Sequence, residues 1–306
     1  MFGQTGVTTT TESLIPYPFA CTCALHRRRL FTGALLASGA GLVAWPAWAR
    51  EGVQVGPRSS FTQLVSADQI EQAAGQQYLQ LRQQAAQKEA LAPPTHPQVV
   101  RLRAIAQRLI PYTYEWNERA REWRWEVNLI GSKQINAFCM PGGKIAFFSG
   151  ILEQLKLTDD EVAMVMGHEM THALREHARE RIGKNMATRG AIELGAAIFG
   201  LGDLARGAAG IGGQLLTLSF GRDDESEADL VGLELAARAG YDPHAAVTLW
   251  KKMGAAAKGA PPQWLSTHPS NPTRIRDIER ALPQVEPLYA RAEKPAVRYE
   301  PMGGRG

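Results

Sequence analysis

Cysteine is scarce in this chain, and the few cysteines present cannot form a framework. Cys21 and Cys23 lie in an N-terminal segment that we expect to be removed, which leaves Cys139 alone. A single cysteine cannot form an internal disulfide, so a small disulfide-stapled scaffold is excluded. The fold must depend on a hydrophobic core, and 306 residues with 44% hydrophobic content are sufficient to build one.

A strong excess of charge of one sign is also missing. The formal net charge is +4, and no basic stripe with interleaved aromatic residues occurs. Nucleic acid is therefore not an expected partner. We find no internal repeat either, so a solenoid is not expected.

A long apolar run is lacking too, although a short one lies near the N-terminus. Arg27 to Phe31 combine a positive region with a pattern similar to a bacterial twin-arginine signal, and Ala47-Trp48-Ala49 fits a cleavage site. Residues 1–49 are therefore predicted to be an export signal that directs the protein to the periplasm. The alternative is an inner-membrane anchor through residues 30–45, but this run is shorter than the about 20 residues that a span needs.

The remaining chain is predicted to have three parts. Residues 50–95 form a leader and a helical arm, which opens with a capping box at Ser66. Residues 96–283 form the main domain, and residues 284–306 form an extended, proline-bearing tail. Within the main domain, the Gly/Ala-rich stretch 186–220 is expected to be mobile or amphipathic, with peripheral membrane contact as an alternative role.

The centre of the chain predicts a small sheet followed by a long helix. Residues 123–130 alternate between apolar and polar side chains, and two further strand-like segments, 135–138 and 144–150, flank a Pro-Gly-Gly turn. Thr158 to Glu161 form a capping box that opens a helix. We expect an α+β fold that is mainly α, with a small antiparallel sheet and an active-site helix.

The long helix carries His168-Glu169-Met170-Thr171-His172. Histidines four residues apart share one face of a helix, so both imidazoles can bind one zinc ion. Glu169 lies about 100° round the helix, where it can accept a proton from the attacking water as general base. The alternative is a surface helix with two satisfied histidines, but the apolar turns before His168 indicate a buried helix, in which unpaired histidines would be costly.

A third ligand is needed, and the best candidate lies downstream. Glu225 and Asp229 share one helical face, so Glu225 could complete a site of two histidines and one glutamate, and Asp229 could accept the free N–H of a ligand histidine. The alternative is a solvated run of acids. His177 is predicted to be a surface residue, because its spacing from His168 fits no extended zinc motif.

These motifs resemble those of the M48 family of gluzincin metallopeptidases. Further similarity lies in residues 135–152, which resemble the family's N-A-F-x-x-P-G-G segment, and in residues 266–275, which resemble its late H-P-x-x-x-x-R-I segment. The resemblance implies a zincin-like catalytic domain, one Zn2+, metal ligands at His168, His172 and Glu225, and a supporting acid at Asp229.

The resemblance also implies roles for residues whose chemistry is not otherwise readable. Asn136, Ala137 and Phe138 would form an edge strand that binds extended substrate. His268 would approach the zinc in closed forms, and Arg274 would lie near the site; either could stabilise the oxyanion.

The expected function is zinc-dependent endopeptidase activity on unfolded or misfolded envelope proteins, as in the compact, exported bacterial members of the family. Two alternatives remain. One is a chaperone-like or adaptor protein that uses the same groove with little cleavage, and the other is a protein with a purely structural zinc site.

Overall fold

A computed structural model describes residues 50–198, 215, 218–257, 262–268 and 273–302, with the backbone alone for 189–198. The predicted export signal, residues 1–49, lies outside the described residues, as do residues 199–214 of the Gly/Ala-rich stretch. None of the described helices combines the length and the apolarity that a membrane crossing demands.

Helices make up most of the described chain. The α-helices are α1 (Ala67–Gln87), α2 (Pro97–Leu109), α3 (Ser149–Leu155), α4 (Asp159–Leu174), α5 (His177–Ile198), α6 (Arg222–Arg238), α7 (Ala245–Ala256), α8 (Gln263–Thr267) and α9 (Arg274–Arg291). The strands are β1 (Glu126–Ile130), β2 (Ala137–Met140) and β3 (Lys144–Phe148). Short 3-10 helices span Ser60–Leu64, Ile110–Thr113 and Glu118–Arg121. The mainly helical α+β class is confirmed.

The three strands form one mixed sheet in the order β1-β3-β2. β2 and β3 are antiparallel, as expected across the turn, in which Gly142 and Gly143 adopt positive φ of 81° and 74°. β1 and β3 are parallel, so the expectation of a wholly antiparallel sheet is wrong for this pair. A parallel pair needs a crossover connection, and here that connection runs through β2. β2 consequently lies at an edge of the sheet.

Helix α4 begins where the sequence predicts, at a complete capping box. The Thr158 hydroxyl accepts from the backbone N–H of Glu161, and the Glu161 carboxylate accepts from the backbone N–H of Thr158. From Glu161 to Leu174 every residue of α4 is buried. A helix that is covered on all sides lies in the centre of a core, and it carries its histidines there.

Helices α4 and α6 cross at two glycines. A Cβ on Gly167 would lie 2.8 Å from the backbone oxygen of Gly232, and a Cβ on Gly232 would lie 2.6 Å from the backbone nitrogen of His168. Larger residues would force the helices apart. This close crossing therefore sets the distance between His168 and the acids of α6.

Helix α9 continues to Arg291, so the prediction of an extended tail from residue 284 is wrong. Pro283 and Pro287 both lie inside the helix. Each interior proline costs about 3 kcal/mol. Burial of Val285 and Leu288 offsets this, because a fully buried aliphatic side chain contributes about 1.5–3 kcal/mol.

The N-terminal arm belongs to the same compact unit as the rest of the chain from Glu51 onward. The Tyr78 hydroxyl of α1 donates to the backbone oxygen of Ile145 in β3. Before α1, the chain lies along α6, where the backbone N–H of Val53 donates to the Glu234 carboxylate at 2.8 Å. The arm therefore packs on the core.

Candidate metal centre

The two histidines of α4 point their Nε2 atoms at a common point. His168 Nε2 and His172 Nε2 are 3.1 Å apart, and the side chains are 4% and 3% exposed. This follows from the four-residue spacing on a regular helix. Burial, reinforced by the positive charge of neighbouring groups, lowers the pKa of His172 well below its ordinary value. A neutral imidazole is the form that binds a metal ion.

Glu225 of α6 faces both histidines. Its Oε2 lies 3.6 Å from His168 Nε2, and its Oε1 lies 3.5 Å from His172 Nε2. Burial by itself would raise the pKa of Glu225, but the hydrogen bond from His268 and the electrostatic influence of His168, His268 and Arg274 outweigh it and hold the pKa below its usual range. Glu225 is therefore a carboxylate.

His268, at the C-terminal end of α8, completes the cluster. Its Nδ1 lies 2.9 Å from Glu225 Oε1 and 3.4 Å from His168 Nε2. The donor atoms of His168, His172, Glu225 and His268 all lie within 4.8 Å of one another, and they form the one group of this kind among the described residues.

The spacing of His168, His172 and Glu225 is close to that of donors in a tetrahedral metal site. Zinc bonds of about 2.0–2.2 Å to nitrogen and oxygen correspond to separations of about 3.3–3.6 Å between donors at the corners of a tetrahedron. The two histidine nitrogens are 3.1 Å apart and lie 3.6 and 3.5 Å from the two Glu225 oxygens, close to that range, whereas His268 Nδ1 is closer to Glu225 Oε1, at 2.9 Å. Imidazole and carboxylate donors are also the ligand types that zinc prefers in protein sites of this kind.

Asp229 and Arg274 contact His168 on the side of its ring that faces away from the donor cluster. Asp229 Oδ1 lies 3.1 Å from His168 Nδ1, which keeps the Nε2 lone pair turned toward the cluster. Arg274 contacts Asp229 at 2.5 and 2.8 Å and donates to Glu225 Oε2 at 2.9 Å. Its guanidinium also lies over the Trp250 ring at 3.5 Å. Arg274 thus faces the acids, and its expected contact with the oxyanion stays a prediction.

Glu169 lies on the other side of the cluster and is 2% exposed. Its Oε1 accepts a hydrogen bond of 2.5 Å from Trp264 Nε1 and lies 3.5 Å from His268 Nε2. Burial raises the pKa of Glu169, although His268, His168 and the Trp264 hydrogen bond partly oppose this. A carboxylate with a raised pKa is a better proton acceptor than an ordinary surface glutamate.

A groove runs beside the cluster, between the β2 edge and the segment that precedes α6. It is lined by Asn136, Ala137, Phe138, Cys139, Met140, Pro141, Glu169, His172, Ala173, Ala178, Leu215, Leu218, Phe220, Thr267 and His268. The Phe148 N–H donates to the Asn136 carbonyl, so the antiparallel alternation turns the main-chain carbonyls of Ala137 and Cys139 toward the outer edge. Among the described residues that line the groove, the ionisable side chains are those of Glu169, His172, His268 and Cys139.

Comparison with known families gives a match over residues 98–282, to the model described as peptidase family M48. The chain belongs to peptidase family M48. A metal ion is therefore implied, and the enzyme class expected from the motifs, a metallopeptidase, agrees with the family.

Similar M48 proteins include enzymes of eukaryotes and bacteria. The chain is 36% identical over 201 residues to the mitochondrial metalloendopeptidase OMA1 of Schizosaccharomyces pombe, covering 65% of this chain and 57% of that protein. It is 40% identical over 174 residues to the protein of the same name in Arabidopsis thaliana, covering 57% and 35%. It is 28% identical over 176 residues to the beta-barrel assembly-enhancing protease of Escherichia coli (strain K12), covering 54% and 36%. The chain thus spans between about a third and somewhat over half of the length of these relatives.

Three residues of this M48 site were not identified from the sequence. Trp264 contacts Glu169, and Phe220 stacks on the His172 ring with centroids 3.9 Å apart. The prediction that His177 is a surface residue is wrong, since it is 1% exposed and its Nδ1 lies 2.9 Å from His172 Nδ1. Of these three residues, only Trp264 had a signal in the sequence. It lies four residues before His268, a spacing that puts two side chains on one face of a helix.

Proposed function

We propose that this chain is a zinc-dependent metalloendopeptidase that hydrolyses peptide bonds of unfolded or misfolded proteins in the bacterial envelope. The observation that carries the proposal is the cluster of buried donor atoms from His168, His172, Glu225 and His268, which all lie within 4.8 Å of one another, with the Glu169 carboxylate beside them. A donor set alone would suggest metal binding. The adjacent carboxylate of raised pKa adds the proton acceptor that hydrolysis requires.

His168, His172 and Glu225 would hold the ion. When bound, zinc supplies Lewis acidity, which polarises a carbonyl and lowers the pKa of water. Glu169 would take the proton from the attacking water and later deliver it to the leaving amine. Trp264 would keep the Glu169 carboxylate aimed at that water by donating to Oε1.

His268 would control access to the site. Its Nδ1 lies beside the other donors, 2.9 Å from Glu225 Oε1 and 3.4 Å from His168 Nε2. Water and a substrate carbonyl can reach the other three donors only when this side chain turns away. Once displaced, His268 could donate a hydrogen bond to the oxyanion, a role that stays a prediction.

The substrate would bind as an added strand. The main-chain carbonyls of Ala137 and Cys139 face the groove, so an extended peptide could pair with β2 through its own backbone. Such pairing needs flexible chain and selects little by side chain, which favours unfolded proteins. The twin-arginine-like segment in residues 1–49 supports export to the periplasm.

The decisive experiment is the substitution Glu169→Gln. The purified variant should bind one zinc ion per chain like the wild type and should cleave a casein-like substrate at least about 1000-fold more slowly, because the amide cannot accept the proton. Glu153→Gln, at an exposed glutamate of α3, is the matched control and should retain full activity. Undiminished cleavage by Glu169→Gln would show that another group is the base.

A structural zinc site is the second candidate, because four protein donors rather than three meet in the cluster. It predicts that removal of the metal with a chelator unfolds the protein. The peptidase proposal predicts instead that the circular dichroism spectrum survives chelation and that added zinc restores cleavage.

A chaperone-like role without turnover predicts that the wild type binds unfolded protein but does not cleave it. It also predicts that Glu169→Gln leaves this binding unchanged.

A further inference from the structure

The outer nitrogen of His172 has a hydrogen-bond partner that the proposed mechanism does not use. His172 Nδ1 lies 2.9 Å from His177 Nδ1, at the start of α5. His177 Nε2 lies 2.7 Å from Glu227 Oε2 in α6, and Arg175 Nη2 lies 2.8 Å from Glu227 Oε1. The same Arg175 nitrogen donates to the backbone oxygen of Gly56 at 2.6 Å. A continuous chain of hydrogen bonds thus runs from His172 to the N-terminal segment.

The order of donors and acceptors in this chain follows from its charged end. Glu227 is paired with Arg175, so it is a carboxylate and can only accept. His177 must then donate through Nε2–H, and a singly protonated ring keeps its lone pair on Nδ1. Because two facing ring nitrogens share a hydrogen bond only if one carries the proton, His172 donates through Nδ1–H. Its lone pair is consequently on Nε2, the atom that faces the donor cluster.

We propose that His177 and Glu227 act as positioning residues that hold His172 in its metal-binding tautomer. The inference rests on the proposed function, since it takes His172 as a ligand of the ion. Hydrogen-bond partners of ligand histidines contribute about 10–100-fold to metal affinity in other proteins. Glu227 would do for His172, through His177, what Asp229 does for His168 directly.

The backbone supports this assignment. Glu176 adopts a positive φ of 61°, in a region that costs a residue other than glycine about 1–3 kcal/mol. This residue separates α4 from α5 and turns the chain so that His177 comes back against His172. The His177 ring is 1% exposed. Packing alone would be served by an apolar side chain, which would bury no polar atoms that need hydrogen-bond partners. The turn at Glu176 thus places His177 beside His172.

The test compares zinc affinities, measured by competition with a chromophoric chelator. His177→Leu keeps a side chain of similar size but has no nitrogen, and it should bind zinc about 10–100-fold more weakly than the wild type. His177→Gln can accept from His172 and donate to Glu227, and it should stay within about threefold of the wild type. Ile182→Ala, at a buried apolar residue of the same helix, lowers stability without touching the relay and should leave zinc affinity unchanged.

A second variant keeps the inference open to refutation if His177→Leu does not fold. Glu227 has a side chain that is 19% exposed, so Glu227→Ala should fold, and it should weaken zinc binding about 10-fold through loss of the acceptor. Wild-type affinity in both Glu227→Ala and His177→Leu would overturn the relay and leave the proposed function intact. Absence of zinc binding by the wild type would overturn both.

Discussion

The two histidines of α4 face the same point but are held in different ways. Behind His168, the Asp229 carboxylate contacts the ring directly, and both are covered by Arg274. Behind His172, a histidine lies between the ring and the acid, and Glu227 with Arg175 lies further out. Each side ends in one carboxylate and one arginine, so neither adds net charge to the site. The difference lies in how deeply that ion pair is buried.

The largest expected effect comes from removing the two arginines. Arg274→Ala leaves Asp229 and Glu225 buried without their counter-charge, and it should lower the free energy of unfolding by about 3–5 kcal/mol. Arg175→Ala leaves Glu227, which water can reach, and should cost less than half as much. Urea denaturation with a chelator present would measure both. Equal losses would contradict this, because they would mean that both ion pairs are equally shielded from water. The side chains of Asp229 and Glu227 are 9% and 19% exposed.

A smaller effect is expected from the helix crossing on the His168 side. Gly232→Ala would put a Cβ 2.6 Å from the His168 backbone nitrogen, and it should cost about 1–3 kcal/mol because two helix backbones must separate. The control is Gly254→Ala in α7, where a Cβ would meet nothing within 4 Å. That change should stabilise the helix by up to about 1 kcal/mol. Thermal denaturation of the two variants should therefore shift in opposite directions, and a shift in the same direction would contradict the close crossing.

The smallest effect concerns Glu169, which lies between the two sides. Trp264→Phe keeps the packing but removes the N–H that donates to Glu169, and it should lower kcat about 10-fold with KM nearly unchanged. Trp123→Phe is the matched control, since Trp123 also donates from its indole to a glutamate, Glu71, at 3.0 Å. Steady-state kinetics on a fluorescent casein would separate them. A change in KM alone would assign Trp264 to substrate binding instead.

Features that depend on neighbouring residues were predicted well. The capping box at Thr158, the shared face of His168 and His172, the turn at Gly142 and Gly143, and the pairing of Glu225 with Asp229 on one face of α6 all follow from helix and turn geometry. These interactions span four residues or fewer, so the local sequence contains the whole cause. The roles of these residues in catalysis stay predictions until the variants are measured.

Features that depend on distant segments were missed or predicted wrongly. The parallel pairing of β1 with β3 depends on a crossover that no single strand reveals. The continuation of α9 through Pro283 and Pro287 depends on the apolar surface available to Val285 and Leu288. Proline is read locally as a helix breaker, and only the packing shows that burial outweighs its cost.

The sequence by itself determined that two imidazoles and a carboxylate lie together on one buried helix, because a regular helix repeats every 3.6 residues whatever surrounds it. The tertiary structure decided which groups contact them and at what distance. Trp264, His268 and Arg274 come from segments that only the folded core brings to α4, and a hydrogen bond between distant residues leaves no periodicity in the chain. The residue types of the motif are thus set by local sequence, whereas the contacts that position them depend on the tertiary fold.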